Sequence, residues 1–156
     1  MQVVFQPARR NVKPFPLPLG HGFAISLVCL YPQSRGSVKV SSADPLSVPL
    51  IDPALGSAQH DLDTLVRGLQ LARRIFAHPA FARYAAHERM PGPAVEDENA
   101  LMEYVRDTLG TVHHPGSTCR MGQDSGAVVN HKLKVHGIAG LRVADASIYP
   151  RVVGGN

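Results

Sequence analysis

Residues 58–78 read AQHDLDTLVRGLQLARRIFAH, and this stretch predicts the longest element of the fold. Its apolar side chains recur at steps of three and four residues, which gives a helix one apolar face. That face comprises Leu62, Leu65, Val66, Leu69, Ala72, Ile75 and Phe76. Asp61 near the start and Arg73 near the end complement the helix macrodipole. The stretch therefore predicts an amphipathic helix that buries one face against another element.

A second helix and a pair of strands are predicted on either side of this helix. Acidic residues followed by apolar residues at helical spacing predict a helix at 96–109. Residues 22–32, GFAISLVCLYP, are apolar throughout and predict a strand that is buried on both sides. Residues 36–42, GSVKVSS, alternate in polarity and predict a half-exposed strand with Val38 and Val40 pointing inward. A turn at Arg35–Gly36 is expected to join the two strands as an antiparallel hairpin.

The remaining segments are rich in residues that interrupt regular structure. Residues 1–20 are predicted to be extended and turn-rich because three prolines lie close together, and 44–56 are predicted to be a loop for the same reason. Beyond Gly110 we expect short strands around 132–136 and 141–145, separated by glycine turns. The predicted fold class is therefore α+β, a mostly antiparallel sheet with helices packed on one side.

Composition narrows the class of protein. The 156 residues are 44% hydrophobic and 18% charged, as in soluble globular proteins, and the length suggests one domain. The net charge is +4, but the arginines are scattered and tryptophan is absent, which argues against a nucleic-acid-binding surface. The longest apolar run is about half the length of a membrane helix. With two cysteines and no leader-like N-terminus, we expect a cytoplasmic protein with no membrane-spanning segment.

Residues 111–122, TVHHPGSTCRMG, carry the strongest candidate for chemistry. His113 and His114 are adjacent, so in extended backbone they point to opposite sides and do not chelate one metal ion easily. Ser117 or Thr118 would need a base supplied by the fold, and the G-x-S-x-G elbow is missing. A lone histidine acting as a general base remains, beside the simpler reading of a well-satisfied turn.

A second candidate is the stretch 140–150, GLRVADASIYP. A predicted strand ends at Asp145, and the small residues Ala146 and Ser147 follow. Small residues at a strand end let a ligand approach the backbone closely. Asp and Ser are also ordinary residues of turns and helix N-caps, so both interpretations remain open.

Several long motifs, taken in order, make the chain resemble the C-terminal portion of glucose-methanol-choline (GMC) oxidoreductases. These are flavin-dependent alcohol oxidases and dehydrogenases, and the similarity is greatest to the choline-dehydrogenase-like branch. The matching stretches are 30–55 (LYPQSRGSVKVSSADPLSVPLIDPAL), 61–81 (DLDTLVRGLQLARRIFAHPAF), 111–122 and 127–156 (AVVNHKLKVHGIAGLRVADASIYPRVVGGN). Together they cover nearly the whole sequence.

The resemblance implies a reaction and the residues that perform it. An alcohol is oxidised to a carbonyl, a histidine takes the hydroxyl proton, and a hydride passes to N5 of FAD. The histidine before the proline of the motif corresponds to His114. The residue that helps to hold the substrate oxygen, and that lies at the cofactor, corresponds to Asn156. Asp145 and Ala146 correspond to residues that contact FAD. The resemblance leaves the particular alcohol and the electron acceptor open.

The sequence departs from the family pattern in two residues and in extent. Ser117 replaces a usual glycine, and Asn130 replaces a usual acid. The dinucleotide fingerprint G-x-G-x-x-G is absent, so we expect a portion of a longer protein, truncated at both ends. Residues 1–114 are predicted to belong to the substrate-binding domain, and residues 115–156 to return to the FAD domain.

Two classes of function remain in contention. The first is part of an FAD-dependent alcohol dehydrogenase or oxidase, which alone is expected neither to retain FAD nor to turn over alcohols. Its partners would be a small alcohol and the missing FAD domain. The second is a non-catalytic interaction module derived from the substrate domain. In either case, apolar surface meant for the FAD domain would promote self-association.

Overall fold

The predicted long helix forms α1, Gln59–Phe76, in a computed structural model that describes residues 1–9, 20–84 and 87–155. The predicted second helix forms α2, Glu98–Thr108, so both helix predictions are confirmed to within a few residues. Short 3-10 helices lie at Pro79–Phe81 and Ala146–Ile148. Four strands are β1, Gln2–Gln6; β2, Ala24–Val28; β3, Ser37–Lys39; and β4, Leu50–Asp52. No described helix is long and apolar enough to cross a membrane.

The described chain divides into two compact units, and each contains two separate segments. Unit 1 joins Met1–Cys29 to Gly56–Gly110, and unit 2 joins Leu30–Leu55 to Thr111–Asn156, in each case as far as these ranges are described. Unit 1 holds both α-helices together with β1 and β2. Unit 2 holds β3, β4 and the two motifs that carry the candidate site residues. The predicted boundary after residue 114 refers to an FAD domain and stays a prediction.

The core of unit 1 lies between the two helices. Leu62 and Leu101 are each only 1% exposed, and both belong to the apolar faces read from the sequence. Leu65, Val66 and Val105 complete the buried cluster. Leu27 and Cys29, in and just after β2, pack against it, but only Val28 of β2 is fully buried, so the prediction of a strand buried on both sides is wrong. The two helices pack against each other and against β2 because this packing removes their apolar faces from water.

Gly68 explains how α1 and the β1–β2 sheet come so close. A Cβ atom built at this position would overlap Sδ of Met1 and would lie 3.1 Å from Cδ1 of Leu27. Glycine weakens the middle of a helix, so its presence here has a packing reason. Beside this contact Phe5, Phe23, Phe76 and Phe81 form a ring cluster, with Phe23 and Phe76 centroids 4.9 Å apart.

The strand pairing differs from the predicted hairpin. Strand β2 pairs with β1 in antiparallel register, with Val4 opposite Ser26, and β3 pairs with β4. The prediction that β2 and β3 form one hairpin is wrong. Mixed helices and antiparallel strands are confirmed, but the described residues form two separate two-stranded sheets and not one sheet covered by helices.

Strands β3 and β4 also expose side chains that were expected inside. Val38 is 53% exposed and Val40 is 85% exposed, so the inward direction predicted for both is wrong in this structure. Leu50 and Ile51 of β4 are exposed as well. A two-stranded sheet with both faces in water buries too little apolar area to be stable alone. The β3–β4 pair is therefore an incompletely covered part of unit 2.

The N-terminus of α2 provides a first test of the local structure. The side-chain Oδ1 of Asp97 accepts a hydrogen bond of 2.9 Å from the backbone N–H of Ala100, a standard N-cap. We expect Asp97→Ala to lower the free energy of unfolding by about 1 kcal/mol, because that N–H loses its partner. Urea denaturation followed by circular dichroism measures the change. Asp97→Asn keeps the acceptor and is the control; an equal loss in both variants would contradict the cap.

Candidate active site

Three hydrogen bonds join the two sequence motifs in unit 2. The backbone N–H groups of Ser117, Cys119 and Met121 donate to the carbonyl oxygens of Ala146, Ser147 and Ile148, at 3.4, 2.9 and 2.8 Å. The motif TVHHPGSTCRMG therefore runs along the segment ADASIYP. Residues that are about thirty positions apart in the sequence become neighbours, and His114 and Ala146 line the same pocket.

The backbone around His114 has an unusual conformation. His113 has φ of 65° and Ser117 has φ of 72°, the left-handed region that residues with a Cβ atom rarely adopt. Between them, a Cβ atom at Gly116 would lie 2.9 Å from the carbonyl oxygen of Ala146. Glycine at 116 is therefore required by the close crossing of the two segments. The hydroxyl oxygen of Ser117 is buried and has no hydrogen-bond partner among the described residues.

This geometry accounts for one departure from the family pattern. The resemblance placed a glycine where this chain has Ser117. A left-handed backbone is the conformation that glycine adopts without strain, so a glycine is the expected residue there. The serine keeps the conformation despite its Cβ atom, because the hydrogen bond to Ala146 and the crossing at Gly116 hold it.

A pocket of about 280 Å³ opens between the two motifs. It is lined by His113, His114, Pro115, Gly116, Ala146, Tyr149, Val152, Val153 and Gly155. Both imidazoles are exposed, while the walls are mainly apolar and include the ring of Tyr149. A planar ring with polar edges fits such a lining, and an imidazole at its rim can accept a proton.

The structure brings some of the predicted site residues together. His114 and Ala146 line one pocket. Asp145 precedes Ala146 but is not among the residues that line the pocket. Its Oδ1 accepts a 2.8 Å hydrogen bond from the N–H of Ser147 and caps the 3-10 helix. Hydrogen bonds from Ser147 lower the pKa of this carboxyl. Asn156 lies outside the described residues. The described residues also hold no group of three or more histidine, cysteine, aspartate or glutamate side chains suited to a metal ion.

Residues that sequence reasoning missed form the far wall of the pocket. Tyr149, Val152 and Val153 lie between the two predicted positions Asp145 and Asn156, but nothing in their types marked them as functional. The structure explains why residue 154 is glycine, because a Cβ atom there would overlap the hydroxyl oxygen of Tyr31. The contact with Tyr31 thus holds the end of this wall.

A buried valine fixes the loop that follows the motif. Val129 is fully buried, and its carbonyl accepts a 3.0 Å hydrogen bond from the N–H of Gly122. The side chains of Arg120 and Asp124 form a two-pronged ion pair within this loop, and the guanidinium lowers the pKa of the Asp124 carboxyl. These contacts fix the conformation of the loop, which connects the motif to the segment 127–145.

Segment 127–145 contains bridges where strands were expected. Val129 pairs with Val135, and Lys134 pairs with Arg142, but the structure assigns no continuous strand at 132–136 or 141–145. The prediction of two strands is wrong because a tight turn interrupts the pairing. Leu133 has φ of 62°, which breaks an extended run.

Asn130 holds this turn. Its Oδ1 accepts hydrogen bonds from the N–H groups of Lys132 and Lys134, at 2.9 and 3.2 Å. A carboxylate at this position would offer an oxygen to the same donors. The replacement of the usual family acid by asparagine therefore keeps the acceptor that the turn uses.

This arrangement predicts the effect of substitutions at Asn130. Asn130→Ala is expected to lower the free energy of unfolding by about 1–2 kcal/mol, since two backbone N–H groups lose their acceptor and each bond contributes roughly 0.5–1.5 kcal/mol. Thermal unfolding monitored by near-UV circular dichroism gives the value. Asn130→Asp retains the acceptor and should unfold within a degree or two of the unsubstituted chain, on the order of a few tenths of a kcal/mol. Equal losses in both variants would exclude this role.

Comparison with known proteins identifies the family of this chain. Residues 32–156 match the C-terminal family model described as GMC oxidoreductase. The chain is 39% identical over 140 residues to an alcohol dehydrogenase [acceptor] of Pseudomonas putida, covering 90% of this chain and 25% of that protein. It is 37% identical over 136 residues to an oxygen-dependent choline dehydrogenase of Chromohalobacter salexigens, covering 87% of this chain and 24% of that protein.

A solved structure shares the fold. The chain superimposes on pyridoxine 4-oxidase from Mesorbium loti with a TM-score of 0.81 and 32% identity, covering 92% of this chain and 28% of that one. The chain belongs to the GMC oxidoreductase family, and the similarity to choline and alcohol dehydrogenases is confirmed. Members of this family are typically flavoproteins. The chain spans about a quarter of the length of the curated relatives that it matches.

Proposed function

We propose that this chain contributes the catalytic base and one wall of the active site to an FAD-dependent alcohol dehydrogenase or oxidase. Its substrate would be a primary or secondary alcohol, and the product a carbonyl. The observation that carries the proposal is the crossing of the two motifs, which brings His114 into one pocket with Ala146, Tyr149 and Val152. The names of the relatives supply the reaction class.

The residues of the pocket have distinct tasks in this reaction. An exposed imidazole nitrogen of His114 would accept the hydroxyl proton of the alcohol, which is the task of a general base near neutral pH. Tyr149 and the valines would exclude water from the reacting carbon. We extend the proposal to Asn156, whose side-chain amide would donate a hydrogen bond to the substrate oxygen as it loses its proton.

The pocket fits part of a bound flavin. Its mainly apolar lining and the absence of a side chain at Gly116 would admit the edge of a flat ring. We propose contacts from Ala146, from Asn156 and from the backbone beside Asp145. FAD, when bound, would supply the electron sink for the hydride that leaves the carbinol carbon. The dinucleotide fingerprint is not in this sequence, so we propose that residues 115–156 complete an FAD domain whose phosphate-binding part comes from elsewhere.

The second candidate, a non-catalytic interaction module, has one observation in its favour. Apolar side chains of the β3–β4 region are strongly exposed, with Leu46 at 90%, Val48 at 80% and Ile51 at 66%. Such a face suits a surface that packs against another protein or a second copy of the chain. It suits equally a substrate-domain portion, residues 1–114, that lies against the rest of a flavoenzyme.

A chimera distinguishes the two candidates. The segment of the Pseudomonas putida alcohol dehydrogenase that matches this chain would be replaced with the corresponding residues of this chain. We expect the purified chimera to show flavin absorbance and to oxidise alcohols with an artificial electron acceptor, whereas residues 1–156 alone should show neither. The unaltered dehydrogenase is the positive control. A chimera that binds flavin but oxidises no alcohol would favour the interaction module.

A further inference from the structure

The side chain of His114 lies at the surface of unit 2. It is exposed, and it makes no hydrogen bond with any described residue. The usual way to orient a catalytic histidine is a hydrogen bond from its second ring nitrogen to a carboxylate or carbonyl. Within the described part of the chain, the position of this imidazole is therefore set by the backbone that carries it.

That backbone is constrained at both ends. His113 and Ser117, with φ of 65° and 72°, enclose the three residues from His114 to Gly116. Pro115 fixes its own φ, and Gly116 lies against the carbonyl oxygen of Ala146. We call residues 113–117 the left-handed bracket. Non-glycine residues persist in this conformation only where the surrounding structure holds them, and such residues concentrate at functional sites.

The bracket also carries a buried polar group without a partner among the described residues. The hydroxyl of Ser117 is buried, and the N–H of the same residue donates to Ala146 across 3.4 Å. A local fold chosen for stability alone would place glycine here and avoid both the strain and the unpaired hydroxyl. The bracket thus tolerates unfavourable features at the position that sets the course of the chain beside His114.

We propose that His113 and Ser117 are positioning residues, whose left-handed backbone aims the imidazole of His114 into the pocket. This inference rests on the proposed role of His114. His113 acts here through its backbone conformation and not as a second base. Any residue that cannot hold φ near these values would turn the His114 side chain away from Ala146, even though no atom of the imidazole is removed.

Valine substitutions test this inference, because a β-branched residue is strongly disfavoured in the left-handed region. In the chimera, His113→Val and Ser117→Val are expected to lower kcat by at least tenfold, with KM changed less than threefold. His113→Asn should recover most of the lost kcat, because asparagine tolerates this conformation. A loss in His113→Asn as deep as that in His113→Val would overturn the proposal, since the imidazole of His113 would then matter.

Ala54 supplies a matched control. It lies in unit 2 with φ of 45°, outside the bracket, so Ala54→Val introduces a similar backbone conflict elsewhere. This variant should melt at a lower temperature but keep its kcat. If Ala54→Val lowers kcat as much as Ser117→Val does, the effect is general destabilisation and the proposal fails. Loss of flavin absorbance in the bracket variants would also overturn it, because the bracket would then hold the cofactor.

A measurement on the chain itself separates this inference from the proposed reaction. In residues 1–156 with ¹³C-labelled histidine, the ring C–H signals of His114 report its surroundings without flavin or substrate. Ser117→Val should shift or broaden these signals, while Ala54→Val should leave them in place. Unchanged His114 signals in Ser117→Val would reject the bracket. An inactive chimera with shifted signals would reject the reaction and retain the bracket.

Discussion

His114→Ala in the chimera is expected to lower kcat by roughly 10²–10⁴-fold, the range that a general base contributes. The pocket places His114 beside Ala146, and alanine leaves no group there to take the hydroxyl proton. Steady-state kinetics with a saturating artificial acceptor measure the change. Flavin absorbance should persist, because the cofactor contacts that we propose come from Ala146, from Asn156 and from the backbone beside Asp145.

His131 provides the control for this substitution. It is an exposed histidine in the turn that follows Asn130, outside the lining of the pocket. His131→Ala should leave kcat within about twofold, a difference on the order of 0.4 kcal/mol. If His114→Ala retains the full rate while its flavin content is normal, another group takes the proton and the assignment of His114 is wrong.

The largest expected effect on stability comes from the core of unit 1. Leu62→Ala removes a side chain that is 1% exposed and packs between the two helices, and we expect a loss of about 2–5 kcal/mol in the free energy of unfolding. The loss combines the lost burial with the cavity that remains. Urea denaturation followed by the helical circular dichroism signal measures it.

A second leucine supplies the matched comparison. Leu46 is 90% exposed, so Leu46→Ala removes the same atoms from a surface position and should change stability by less than about 0.5 kcal/mol. Comparable losses in the two variants would mean that Leu62 is not in the core, or that Leu46 is covered in solution. Sedimentation at increasing concentration would identify the second case as self-association.

The helices could be read from the sequence because their signal is local. Leu62 and Val66 in α1, and Leu101 and Val105 in α2, are each four residues apart, and both helices occur within a few residues of their predicted ends. Strand partners are not local. The apolar run identified β2. Its pairing with β1 and not with β3 depends on contacts between distant parts of the sequence, which the spacing of apolar residues within one strand does not reveal. Strand β4 was missed because Pro49 and Pro53 flank it, although prolines are tolerated beside short edge strands.

Only some residues of the candidate site could be predicted from the sequence. The resemblance to the family predicts one site for His114 and Ala146, which line the same pocket, whereas Tyr149 and Val152 are recognisable only as walls of the folded pocket. The left-handed conformation of Ser117 is signalled only by the glycine that is usual at this position in the family, and that of His113 only by the enrichment of histidine among non-glycine residues with positive φ. This conformation arises from the crossing at Gly116, which is a property of two segments meeting and not of either one alone.

The segments of the two units alternate along the sequence, and this affects how the protein can be divided into parts. A single cut within 30–110 divides both units, because each unit then has sequence on both sides of the cut. An N-terminal truncation beyond residue 29, or a C-terminal truncation that reaches into 30–110, would therefore leave neither unit complete. Isolating unit 1 requires joining residue 29 to residue 56 through a short linker and ending the chain at 110, and isolating unit 2 requires joining residue 55 to residue 111 in the same way. Proteolysis within 30–55 should likewise leave both halves associated until denaturant is added.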